Sequence, residues 1–456
     1  TIPRMGGTPV AIHPELDLGW GAMSPDGSKL LARAVRANES EQDLKRWWMI
    51  PISGGKPQEV TRTPLSPGER ASPDPWTWAM PDKRSGRQWV IFHQKVGDAY
   101  NLFRIVISSD GKVTSDPEQL TFTTDSWGPS ASENGRMVFV NGNLSTNLWS
   151  IPIDTNRALV AGERQSLTQV EGFRDQHPSL SRDGKKVAFF SGANLVVKDL
   201  VTGRETQLAQ DMPLDSGGNP SISPDGSFVV FYWEANPGSE HDLYSISTSG
   251  GSPRLVCRRC GVPKGFSSDG ARLLTQLGAW TTGRLDVIAM VDVSTGKVAE
   301  VLNDPQHNLW NAFYSWDDKW MVFLMQVANA ASNASPFRVY ITPVEDFVPA
   351  GPDRWIQLTS GEYVDNKPQL SPDGNTLYFT SNRDGFTCIW ALRLDPRTKR
   401  PLGSPFPIQH FHDRQRFHSG ISSTSDMELN VAKDKIVTNL DELHSEIWMM
   451  DLEPRQ

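Results

Sequence analysis

Ser24-Pro25-Asp26-Gly27 decides the fold, because it returns as Ser223-Pro224-Asp225-Gly226 and again as Ser371-Pro372-Asp373-Gly374. Ser181-Arg182-Asp183-Gly184 and Ser267-Ser268-Asp269-Gly270 keep the Asp-Gly, and Ser132-Glu133-Asn134-Gly135 has Asn in place of Asp. Pro presets φ at the second turn position, Asp bonds the backbone two residues on, and Gly accepts the positive φ that closes a hairpin. A unit recurring every few dozen residues is the mark of a repeat architecture.

Apolar, β-branched or aromatic runs follow each turn, as in Lys186-Val187-Ala188-Phe189-Phe190 and Phe228-Val229-Val230-Phe231-Tyr232. A third run comes next, as in Asn147-Leu148-Trp149-Ser150-Ile151 and Cys388-Ile389-Trp390-Ala391-Leu392. Gln119-Leu120-Thr121 and Gln357-Leu358-Thr359 are matching fourth runs. Four short strands joined by Gly-rich turns make one blade of a β-propeller.

The turns close at Gly27, Gly86, Gly135, Gly184, Gly226, Gly270, Asp318, Gly374 and Lys435, with spacings of 59, 49, 49, 42, 44, 48, 56 and 61 residues. This predicts an all-β chain, one closed propeller over residues 1–456 with nine four-stranded blades. Eight is the alternative, because common propellers have about 4–8 blades. The last unit runs out of chain after Glu446-Ile447-Trp448-Met449-Met450. Gly6-Gly7-Thr8-Pro9-Val10-Ala11-Ile12 reads like the outer strands at Gly54-Gly55 and Gly250-Gly251. The N-terminal strand is therefore expected to complete the C-terminal blade.

Net charge is −8 and no basic patch is present, which argues against nucleic acid as a partner. The longest apolar stretch, Trp320 to Ala331, is too short for a bilayer span of about 20 residues. A start at Thr1 without Met fits a mature, signal-cleaved protein or an excised ectodomain. Cys257-Arg258-Arg259-Cys260 is a lone Cys-x-x-Cys, open to reading as a local disulfide, as free thiols or as half of a metal site. No Gly-x-Ser-x-Gly elbow is present, so a serine-hydrolase site has no nucleophile position.

Segments that enter the innermost strand of a blade lie at one end of a propeller's channel. Here they carry Trp20, Trp76, Trp127, His177, Asn219, Trp310 and Lys367. Tryptophan offers a broad apolar face with one donor, suited to peptides, sugars and protein surfaces. Trp20, Trp76, Trp127, His177, Trp310 and Lys367 are the expected ligand or partner contacts, with packing between blades as the competing role for the tryptophans. His410-Phe411-His412-Asp413, followed by His418, is the densest histidine cluster. On a strand His410 and His412 share a face, and with His418 they are the candidate ligands for a divalent metal.

The repeats resemble the TolB-type propeller repeat, a WD-like unit of bacterial envelope proteins. The fullest copy is Leu370-Ser371-Pro372-Asp373-Gly374-Asn375-Thr376-Leu377-Tyr378-Phe379-Thr380-Ser381-Asn382-Arg383-Asp384-Gly385. The resemblance implies a periplasmic or extracellular protein. It covers scaffolds, sensor ectodomains, peptidase propellers and a few sugar-acid lyases, so it does not choose among functions. With no catalytic constellation, the first expectation is a non-catalytic binding, scaffold or sensor propeller that holds a protein, peptide or glycan at the channel mouth without a cofactor. The alternatives are a metal-dependent lyase or hydrolase acting on acidic glycans through His177, His410, His412 or His418, and a structural subunit of an assembly.

Overall fold

In a computed structural model the chain is all-β; the only helical turn among the described residues is Pro352–Arg354. The structure describes residues 13, 15–36, 46–60, 73–82, 87–96, 99–108, 110–122, 125–132, 135–169, 175–210, 212, 218–233, 241–278, 286–326, 337–413, 416–418 and 428–452. No helix among them is long and apolar enough to cross a membrane. The chain divides into two compact units: unit 1 holds residues 1–143 and 444–456, and unit 2 holds residues 144–443.

The repeated turn works as its residues dictate, with one partner added. Asp26 accepts from the Ser28 N–H at 3.0 Å, and Gly27 takes φ 71°. Ser24 is the added partner: its hydroxyl donates to Asp26 at 2.6 Å and accepts from the Lys29 N–H at 2.9 Å. The same pattern recurs at Ser181 with Asp183, Ser223 with Asp225, Ser267 with Asp269, Ser315 with Asp317 and Ser371 with Asp373. These bonds hold the Asp26 carboxyl down at about 2.

Unit 2 is a ring of six blades. Blade A combines Leu429–Val431 and residues 435–443 of the strand Lys435–Asp451 with residues 144–154 of the strand Arg136–Asp154 and with Gln165–Ser166. Blades B, C, D, E and F follow in chain order, with inner strands Asp175–Leu180, Ser221–Ile222, Val262–Phe266, Leu309–Tyr314 and Asn366–Leu370. Every junction has its own core. Leu148 and Val437 of blade A pack on Val187 and Phe189 of B, Phe190 of B lies with Ile222 and Phe231 of C, and Val230 of C lies with Phe266 and Leu273 of D. Leu274 of D lies with Leu309 and Phe323 of E, Val322 of E with Leu377 and Trp390 of F, and Tyr378 of F with Ile151 and Ile436 of A. Each fully buried Phe or Leu in such a junction contributes about 1.5–3 kcal/mol. Blade A closes the ring with strands from both ends of the unit, so no edge of the ring stays open.

Unit 1 holds three sheets. Leu31 and Trp47 of the first pack against Val90 and Phe92 of the second, and Trp89 and Leu102 of the second pack against Met137 and Phe139. The third sheet uses residues 136–143 and 444–451 of the same two long strands, with Ser126–Ala131 alongside.

The blades are of the expected kind, four short antiparallel strands each, and the arrangement of the third and ninth differs. Six of the nine counted units close a ring within unit 2. In the third and ninth units no turn follows the second strand, because Arg136–Asp154 and Lys435–Asp451 run on unbroken for 19 and 17 residues. The long strand of the third unit pairs with the long strand of the ninth and joins the C-terminal blade. The expected strand at residues 6–12, like the turn at Gly86, lies outside the described residues. Cys257 and Cys260 are joined by a disulfide, and Cys388 is a buried free thiol.

Candidate functional site

In unit 2 the inner strands slip register where they begin, between Gln176 and Ser179, Pro263 and Phe266, Trp310 and Phe313, and Asn366 and Gln369. At three of these bulges a residue other than glycine takes a positive φ: His177 at 53°, Asn311 at 48° and Lys367 at 52°. Such conformations are uncommon for residues with a side chain, and bulges re-aim side chains. His177, Asn311 and Lys367 are all buried. A narrow cavity here is lined from all six blades in turn, by Glu428, His177, Asn219, Lys264, Phe313 and Gln369, and so lies on the axis of the ring.

The cavity is charged. Lys367 Nζ donates to Glu428 Oε1 at 2.8 Å, and both side chains are largely buried. Enclosure and the neighbouring Lys367 push the Lys264 ammonium down to about 8. Burial, helped by Lys367 and Lys264, pushes His177 down to about 3, so its imidazole is neutral at pH 7. Glu428 and the buried Asp286 both act on Lys264, and among the described residues the buried Asn219 Oδ1 has no hydrogen-bond donor. An anionic group at this cavity would meet the Lys264 ammonium. At the hairpin end of the ring, Arg182 of blade B donates to the Trp316 carbonyl of blade E at 2.6 Å and lies 3.7 Å from Asp318. Blades B and E are opposite in a ring of six, so this contact crosses the axis.

A second cluster stands on blade F. Asn366, Thr380, Ile389 and Gln409 pair in one row across the sheet, so the residues just beyond them share the entry edge with Lys367. There Asp384 Oδ2 lies 2.7 Å from His410 Nδ1 and 2.9 Å from His412 Nε2. Cys388 completes a group whose four ligand atoms lie within 4.8 Å of one another. Burial pushes the Cys388 thiol up to about 11. His418 stands apart from this group. Its ring packs edge-on against Phe411 at 4.5 Å, burial pushes it down to about 3, and among the described residues neither ring nitrogen has a partner.

The six residues expected at one mouth divide between the units. Trp20, Trp76 and Trp127 are in unit 1, and His177, Trp310 and Lys367 are in unit 2. Trp20 is 64% exposed and stacks on Trp76 at 5.3 Å. Trp76 Nε1 donates to His93 Nδ1 at 3.2 Å, and the His93 ring lies 5.1 Å from Tyr100. Trp127 is half-buried opposite Val140. Trp310 packs against Phe337 at 5.4 Å, in the core between blades E and F, which is the competing packing role. The candidate metal ligands likewise separate: His410 and His412 meet, while His418 lies elsewhere. Sequence reasoning missed Lys264, Asn311, Glu428, Asp384 and Cys388. Asn311 and Glu428 were within reach, since both stand four residues before the first position of their turn, as His177 and Lys367 do. Asp384 and Cys388 carried no such signal, because their meeting with His410 and His412 depends on how the outer strands pair.

No family model matches the chain. It is 28% identical over 181 residues to the uncharacterised protein Atu1656 of Agrobacterium fabrum (strain C58), a match covering 39% of this chain and 54% of that protein. The chain thus spans about half the length of that relative. Among solved structures it is similar to a putative TolB from Agrobacterium tumefaciens, with TM-score 0.45, 17% identity, and coverage of 59% of this chain and 89% of the other. It is also similar to TolB from Acinetobacter baumannii, with TM-score 0.42, 14% identity, and coverage of 67% and 77%. An oligogalacturonate lyase in complex with manganese gives TM-score 0.39 at 11% identity, over 80% of this chain and 88% of the other. The four-stranded blades are those of a β-propeller, the fold that the Ser-Pro-Asp-Gly repeats imply.

Proposed function

We propose that this protein is a non-catalytic binding propeller of the periplasm or cell exterior, whose unit 2 channel end receives an acidic group on a partner protein or peptide. The observation that carries the reading is the axial cavity lined by Glu428, His177, Asn219 and Lys264, beside bulges at His177, Asn311 and Lys367 whose backbone conformations cost energy. Lys264 supplies the ammonium for a charge-assisted bond, and Asn219 and His177 line the same cavity. The Cys257–Cys260 disulfide suits an oxidising compartment. His177, the His410 and His412 pair, and His418 stand in three different environments, which favours binding over a histidine-based lyase or hydrolase on acidic glycans.

The test is fluorescence anisotropy with a labelled Glu-rich octapeptide, its Gln-rich counterpart and an oligogalacturonate. The acidic peptide is expected to bind more tightly than the neutral one. Lys264→Met should weaken it by about tenfold or more, the scale of one charged hydrogen bond. Binding should also fall as pH rises through about 8, where Lys264 loses its proton. Equal binding of both peptides, or no effect of Lys264→Met, would overturn the reading. Preference for the oligogalacturonate would move the ligand class to glycans. A second reading, a subunit of an assembly, draws on the exposed Ile447, Trp448 and Met449 of unit 1. Light scattering before and after Ile447→Lys/Met449→Lys tests it; a monomer in both cases counts against it.

A further inference from the structure

We propose that Asp384, Cys388, His410 and His412 form a zinc-class metal site that ties the loop between the middle strands of blade F to the chain leaving that blade. The local sequence builds the donor set. His410-Phe411-His412 follows directly on the strand Phe406–Gln409. Phe411 turns into the core and is 1% exposed, which sends both imidazoles the other way. The Phe411 N–H also donates to Cys388 Sγ at 3.3 Å, fixing the sulfur beneath the histidines. Asp384 comes from the loop 382–387 and meets both rings through one oxygen.

One sulfur, two imidazole nitrogens and one carboxylate oxygen are the donors that zinc prefers, and calcium or magnesium would take oxygens instead. Zinc bonds of about 2.0–2.3 Å give a tetrahedron with edges of roughly 3.3–3.8 Å. The four ligand atoms already lie within 4.8 Å of one another, so the site is completed by short shifts that draw the widest pair together and part the Asp384 oxygen from the two imidazole nitrogens. Neighbouring rings orient the ligands, Trp390 edge-on to His410 at 5.9 Å and Phe386 against His412 at 4.5 Å. The Arg383 guanidinium of this loop is paired with Asp365 at 2.8 Å. Cys388 is buried while His410 and His412 are 45% and 43% exposed, so an ion enters from solvent on the histidine side. On binding, the Cys388 S–H bond breaks, its proton passes to solvent, and the thiolate and carboxylate balance the two positive charges of the ion. Four protein ligands fill a tetrahedral site, which makes its role structural.

The experiment uses the full chain, stripped with a chelator and titrated with Zn²⁺ and with Co²⁺. One equivalent per chain is expected. The Co²⁺ form should show tetrahedral visible bands and a sulfur-to-cobalt charge-transfer band. Cys388→Ser should lose the charge-transfer band. His410→Asn/His412→Asn, both at solvent-exposed positions, should raise the Zn²⁺ dissociation constant on the order of 100-fold or more. His307→Gln, away from the cluster, should leave binding unchanged. No stoichiometric metal in the folded wild-type chain would overturn the site, as would unaltered binding by the folded double variant or a Co²⁺ spectrum without the sulfur band.

Discussion

Four residues before the turn serine, the first sheet of unit 1 carries Trp20, while blades B, E and F of unit 2 carry His177, Asn311 and Lys367. The same offset in the same repeat thus leads to an aromatic stack in one unit and to a charged, enclosed cavity in the other. In the third sheet of unit 1 the position is Gly128 at φ 60°, which a glycine adopts without strain. In unit 2 three side chains are held in that region despite its cost. The repeat sets where the chain bulges, and the residue placed at the bulge sets what that blade end can do.

The largest effect expected from breaking this contrast is at Lys367. Its side chain is 3% exposed and pairs with Glu428 at 14%. Lys367→Met strands that carboxylate and should lower stability by about 3–5 kcal/mol, the scale for removing one member of a buried pair. Adding Glu428→Gln should recover much of the loss. Urea unfolding of the four proteins in the cycle measures the coupling, and additive losses would mean that the two groups do not act as a pair. By contrast Trp20→Ala, at an exposed stacked position, should cost only about 0.5–1.5 kcal/mol.

Acid should separate the ends next. His177 and His418 have folded values near 3, below the ordinary 6.5, so between those pH values the unfolded chain binds more protons than the folded one. Stability from these groups is therefore present above about 6.5 and falls as pH drops toward 3. At pH 5 each should have cost about 2 kcal/mol. Melting curves from pH 7 to 5 test this, with His418→Leu expected to flatten the slope. Both groups belong to unit 2, so an equally steep acid response in His177→Asn/His418→Leu protein would assign the loss elsewhere.

Much of this was legible in the chain, and the rest has a physical reason. The turn residues announce the hairpins because Ser, Asp and Gly act locally, within five residues. Position four before the turn marks His177, Asn219 and Glu428, which line the cavity, whereas Lys264 stands three before. Trp310 and Trp127 stand five before, and one residue along a strand changes the face, so Trp310 enters the core while Asn311 takes the bulge. The two long strands were not legible as such. A strand that omits its turn looks like two strands when the repeat predicts a turn, and Asn141-Gly142-Asn143 offers turn residues that the structure keeps extended. Gly142 is needed there for another reason: a Cβ would lie 2.6 Å from Ser445. Cys388 and Asp384 were invisible because their partners are some two dozen residues away across the sheet.

The smallest effect tests the bulge itself, free of packing. Gly128 has φ 60° and open space where a Cβ would stand, so a substitution there reads the backbone alone. Gly128→Ala should cost about 1 kcal/mol, the price of a left-handed alanine. Gly128→Asn should cost less, because Asn tolerates that region through local hydrogen bonding. Alanine and asparagine variants of equal stability would mean that the bulge relaxes when a side chain is added. The positive φ of His177, Asn311 and Lys367 would then be an easy local adjustment. A clear gap between the two variants means that the conformation is imposed by the blade, and that unit 2 holds His177, Asn311 and Lys367 in place against a backbone cost.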